Sequence, residues 1–95
     1  MENRDNMFEI AAQNETERRH REVQLLINVA EPDPEYQAFL VSDEATLLDA
    51  VGVEPDLIQR RLDAYFGQAL GISLSTPLWR YVDLVRTLRP GWPEP

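Results

Sequence analysis

Polar residues recur along residues 15–30 at steps of four, three and four, as Glu17, Arg21, Gln24 and Asn28, with His20, Val23, Ile27 and Ala30 on the opposite side. That period is helical, and residues 14–17 ("NETE") put small polar capping groups and first-turn acids ahead of it. The same stretch carries a competing pattern. "VQLLINVA" also alternates, with Val23, Leu25, Ile27 and Val29 on one face as a strand places them, and "EPDPE" would then turn the chain into a second strand, "YQAFLV". The helix is preferred because the upstream "ETERRHRE" is rich in good helix formers. The alternative is an α+β chain with a hairpin over residues 22–41 and helices after it.

Downstream the helical punctuation is clearer. Asp33-Pro34 pairs a capping residue with proline at the first helical position and predicts a short helix through Tyr36, Phe39 and Leu40. Ser42 or Asp43 caps the next helix, over residues 43–51, and Gly52 stops it. The strongest pattern covers residues 53–70: Ile58, Leu62, Tyr65, Phe66 and Ala69 share one face, Asp56, Arg60, Asp63 and Gly67 the other, and Gly71 ends the helix. Thr76-Pro77 opens the last helix, whose Leu78, Tyr81, Val82, Val85 and Leu88 face the core before Pro90 and Gly91 terminate it. Residues 1–13 are weakly patterned and read as a flexible arm; residues 90–95 read as a tail. The sum is one domain over residues 1–95, an all-α small bundle of four to five short helices. Its expected core is Phe39, Leu47, Leu48, Ile58, Leu62, Phe66, Leu78, Val82 and Val85.

Length and composition narrow this picture. Ninety-five residues make one modest core. No apolar run is long enough to cross a bilayer, and the charged start "MENRDNMFEI" has no signal-peptide character, so a soluble chain is expected. Cysteine is absent, which removes disulfides, zinc–thiolate sites and thiol catalysis and fits the cytoplasm. Lysine is absent too, so every basic side chain is a planar guanidinium fork. The net charge of −8 is uneven. Residues 31–56 hold eight acids (Glu31, Asp33, Glu35, Asp43, Glu44, Asp49, Glu54 and Asp56) and no base, while residues 57–93 hold two acids and five arginines. The net field repels nucleic acid and anionic lipid, so neither is an expected direct partner.

The chemistry-bearing residues are sparse. Glu17-x-x-His20 has the spacing of half a carboxylate-bridged di-iron site, but it sits among charges and lacks the further inward carboxylates, which only a homo-oligomer would supply. It is read as solvated, and no metal or cofactor is expected. One histidine, no cysteine, and serines at Ser42, Ser73 and Ser75 that look like caps or loop residues leave no nucleophilic triad. Residues 46–62 are similar to a helix-turn-helix, with a turn at Gly52-Val53 and Arg60 and Arg61 on the second helix. Glu54 and Asp56 lie where such a motif meets phosphates, which argues for simple packing.

The last helix returns a docking candidate. On a helical wheel its core arc runs from Leu84 through Leu88, Tyr81, Val85 and Leu78 to Val82. Trp79 falls outside that arc, beside Asp83 and Arg86, which is the composition of an interface hot spot. The competing reading is that Trp79 packs on a neighbouring element with Arg86 stacked on its ring. The expected function is therefore non-enzymatic: an adaptor, accessory subunit or inhibitor that binds another protein through Trp79, Asp83 and Arg86. The alternative is an inhibitor that mimics nucleic acid, its eight clustered acids occupying a basic cleft. Homo-oligomerisation stays open.

Overall fold

A computed structural model describes residues 15–38 and 41–94. The arm over residues 1–13, and Phe39 and Leu40, lie outside the described residues. Within them the chain is all-α. Residues 15–18 form one helical turn, followed by α1 (His20–Ala30), a 3-10 helix (Pro34–Tyr36), α2 (Leu47–Ala50), α3 (Pro55–Phe66) and α4 (Leu78–Leu88).

The helix-or-strand ambiguity resolves in favour of α1. Val23, Leu26, Ile27 and Ala30 are buried at steps of three, one and three, a helical stripe, while Glu17, Arg21, Gln24 and Asn28 face water. His20, assigned to the apolar side, is exposed. The hairpin over residues 22–41 does not form. Gln37 instead makes a lone antiparallel bridge with Val51, flanked by hydrogen bonds from the Ala38 N–H to the Ala50 carbonyl (2.6 Å) and from the Gly52 N–H to the Tyr36 carbonyl (2.7 Å). α1 stops because Glu31 precedes Pro32, a position biased to extended backbone; Glu31 has φ −155° and ψ 104°.

Several helix boundaries move, each for a local reason. Asp33 caps the 3-10 helix as expected, accepting from the Glu35 N–H at 3.0 Å, but that helix is over by Tyr36. The next helix is shorter than residues 43–51. It is capped neither by Ser42 nor by Asp43 but by Thr46, in a reciprocal box with Asp49. Asp43 is committed elsewhere: its carboxylate accepts from the N–H groups of Glu15 (3.3 Å) and Thr16 (2.9 Å), capping the first helical turn from across the chain. α3 ends at Gly67, not Gly71, since Gly67 adopts φ +80°, the left-handed geometry that closes a helix and that a Cβ disfavours. α4 is not capped by Thr76. The Leu78 N–H donates to the Ala45 carbonyl at 2.8 Å, so the loop before α2 satisfies the start of α4.

The core is one cluster drawn from all four helices. Leu26, Leu47, Ile58, Leu62, Leu78, Val82 and Val85 are at most 1% exposed, and Phe66 and Tyr81 close it. Each such aliphatic side chain contributes about 1.5–3 kcal/mol of burial. Leu48, expected in the core, is 41% exposed, because the four-residue α2 turns only Leu47 and Ala50 inward. α1 packs against α2, α3 and α4.

Arginines close the helix ends. Arg61 of α3 donates to the Ala30 carbonyl at 2.6 Å, satisfying an orphan group at the end of α1. Arg89 does the same for α3, donating to the Phe66 carbonyl at 2.9 Å. Residues 90–94 are consequently no loose tail. Trp92 packs on Phe66 with ring centroids 6.1 Å apart, its Nε1–H donates to the Tyr65 hydroxyl at 2.9 Å, and Glu94 pairs with Arg21.

Candidate functional site

The sequence points to α4, and its two sides are built differently. On one side lie Trp79, Asp83 and Arg86. Asp83 accepts two hydrogen bonds from Arg19, to Nε at 2.8 Å and to Nη2 at 3.0 Å, a bidentate fork. Arg86 pairs with Glu22, whose side chain is only 10% exposed. Both pairs advance three residues on each chain segment, so α1 and α4 run parallel with the charges alternating: cation at the N-cap of α1 against an anion on α4, then the reverse. Trp79 is half-buried at the start of this seam. Arg19 lies over its ring at 5.3 Å and Arg80 at 5.5 Å. The stacking partner expected for Trp79 was Arg86; the structure supplies Arg19 and Arg80, because Arg86 is held by Glu22. The hydrogen bond with Asp83 pushes the Arg19 guanidinium above its ordinary pKa, with partial burial opposing and Glu15 reinforcing. The three residues proposed as a docking triad are thus brought together, and their nearest partner is α1.

On the other side of α4, Arg80, Leu84 and Leu88 succeed one another at four-residue steps. Leu84 is 41% and Leu88 51% exposed, although both were placed on the core arc. The arc narrows because the neighbouring helices reach only Leu78, Tyr81, Val82 and Val85. Arg80 is exposed and, among the described residues, meets no carboxylate; its guanidinium face rests on Trp79. Arg19, Arg21, Arg61 and Arg86 each pair with an acid. Tyr81 lies between this side and the core. Burial first, and then the charge of Asp63, push its phenol up to about 12.

The acids of residues 31–56 divide into two groups. Glu31 is buried, accepting from the Asp33 N–H at 3.0 Å and from Arg61 at 3.1 Å. The Asp33 N–H first, and Arg61 next, hold its carboxyl below the usual glutamate value against the opposing effect of burial. Asp33, Asp43 and Asp49 cap helical turns. Asp33 and Asp49 nevertheless stay exposed, as do Glu35, Glu44, Glu54 and Asp56. Glu54 and Asp56 lie at the start of α3, where the helix dipole favours acids.

Glu17 and His20 are both exposed, and among the described residues no three histidine or acidic side chains converge on a point. A hollow of about 500 Å³ opens between Tyr65, Phe66, Pro90, Trp92 and Pro93, and one of about 480 Å³ lies between α1 and the segment before α2. Arg19, Glu31 and Tyr81, the residues with shifted pKa values, line neither hollow; each shift has a structural cause in an ion pair, a hydrogen bond or burial. Comparison with protein-family models, with curated proteins and with solved structures gives no match to this chain.

Proposed function

We propose that this chain is a non-enzymatic protein-binding module, an adaptor, accessory subunit or inhibitor, and that it docks through the outer side of α4. The observation that carries this reading is the exposed line of Arg80, Leu84 and Leu88 on a helix whose other side is already occupied by α1. Single exposed leucines are ordinary; two aligned on one helix beside a stacked arginine make an anchor of the kind interfaces use. Asp83 and Arg86 are better understood as the seam that orients this surface than as the surface itself. Trp79 supports it by holding Arg80. The nucleic-acid-mimic alternative is weakened because Glu31 is buried against Arg61 and Asp43 caps the first helical turn, which takes two of the eight acids out of a common surface. Among the described residues no helix is long and apolar enough to cross a membrane, and the absence of cysteine favours a cytoplasmic setting.

A photo-crosslinking residue at position 84, compared with one at the exposed Ala64 of α3, tests the reading in extract of the native host. Crosslinks to one protein from position 84 and none from position 64 are expected. Equal labelling from both sites, or none from position 84, refutes a docking role for this side.

A further inference from the structure

The outer side of α4 also indicates what kind of partner fits it. Arg80, Leu84 and Leu88 form a ridge along the four-residue row of the helix, about 12 Å long from first to last Cα. Such rows are the ridges that insert into the groove of another helix. The polar end of the ridge is directional. The exposed Arg80 guanidinium lies 5.5 Å from the Trp79 ring centroid and pairs with no acid among the described residues, and its planar N–H fork matches the two oxygens of a carboxylate. Trp79 is itself braced from Arg19, which Asp83 and Glu15 hold. The fork is therefore oriented before any partner arrives, so little freedom is lost on binding. A polyphosphate is a poor match, because one fork beside two leucines offers few phosphate contacts.

We propose that this ridge receives an amphipathic helix of a partner protein, which presents a carboxylate to Arg80 and apolar side chains to Leu84 and Leu88. The inference rests on the protein-binding reading of the same side and adds the chemistry of the occupant. Arg80→Glu inverts the charge preference without touching the core, since the side chain is exposed.

Three synthetic peptides of about four helical turns serve as probes. One is an amphipathic helix with leucines on one face and glutamates flanking it, the second has lysines in place of the glutamates, and the third is a proline-interrupted, extended version of the first. Each is titrated into the full chain and into Arg80→Glu, and amide shifts are followed at residues 80, 84 and 88. The glutamate helix is expected to bind best, to lose at least about fivefold in affinity on Arg80→Glu, and to be overtaken there by the lysine helix. Equal binding of the first two peptides, better binding of the extended one, or no binding overturns the inference. Sedimentation of the chain alone gives a further arm: concentration-dependent mass that Leu84→Asp/Leu88→Asp abolishes would assign the ridge to a second copy instead. If crosslinks from position 84 reach a protein partner while the peptides fail to discriminate, protein binding stands and the acidic-helix inference falls.

Discussion

Trp79, Asp83 and Arg86 line one side of α4; Arg80, Leu84 and Leu88 line the other. The first set is the more polar and the second the more apolar, yet it is the polar set that is paired to a neighbouring helix. Arg19, at the N-cap of α1, and Glu22 within it pair with Asp83 and Arg86, while Leu84 and Leu88 keep about half their surface in water and lie outside the core cluster. Polarity along one helix does not decide which side meets a neighbour when that neighbour carries complementary charges at the same spacing. A parallel pair with alternating ion pairs also fixes register, since a slip of one turn would bring like charges together.

The contrast can be tested from its strongest term downward. Between the two sides lies the core row, and Leu78→Ala should cost about 2–5 kcal/mol in a denaturant melt, because the site is fully enclosed. A cost near that of a surface change would mean the row is not what anchors α4. Arg86→Ala should come next, at about 1–3 kcal/mol, because it strands the nearly buried Glu22 carboxylate. Replacing both Glu22 and Arg86 by leucine should restore most of that loss; a double variant as unstable as the single one would deny the pair its role in the seam. Trp79→Ala should cost about 1–2 kcal/mol through the lost stacking of Arg19 and Arg80, and should weaken partner binding by loosening Arg80. A variant that lowers stability and leaves affinity unchanged would confine the tryptophan to packing.

Tyr81 marks where water stops on the outer side. Its phenol is raised in the folded state to about 12, from about 10 when unfolded, so its contribution is fully present below pH 10 and is lost as pH rises toward 12. With no lysine or cysteine to titrate in that window, a phenolate absorbance component with a midpoint near 12 should be visible and should vanish in Tyr81→Phe. An ordinary midpoint for that component would extend solvent past Leu84 into the core. Smallest of all, Leu84→Ser and Leu88→Ser should shift stability by no more than about 0.5 kcal/mol each while reducing partner crosslinking. A core-sized loss would return both leucines to the interior.

Helical character was readable wherever an apolar stripe had a clean period. α3 and α4, and the buried Ile58, Leu62, Phe66, Leu78, Val82 and Val85, follow directly from spacing. So does α1, once its charged upstream segment outweighs the alternation of "VQLLINVA". Boundaries were harder, because capping groups came from far along the chain. Asp43 sits where a local cap is expected and instead holds Glu15 and Thr16, and Ala45 rather than Thr76 receives the first N–H of α4. The ion-paired seam between α1 and α4 was hard to read for the same reason. A wheel shows which residues share a side of α4 but not which side α1 will occupy. One signal was present in the sequence: Arg19 and Glu22 repeat, with signs reversed, the spacing of Asp83 and Arg86. Reading the two helices as a complementary pair would have exposed the seam.

That pairing has a consequence for how the chain is made. Arg19 and Asp83, like Glu22 and Arg86, are separated by 64 positions. A helix of eleven residues is marginal by itself in water. As a ribosome delivers the protein, α1 emerges before α3 and α4, and its Val23, Leu26 and Ile27 stripe waits for them to cover it. The long loops that must close slow the final step and leave apolar surface open until late in translation. Assembly therefore runs back to front: α4 secures the earlier α1, and a chain stalled between them exposes the surface that the folded domain keeps driest.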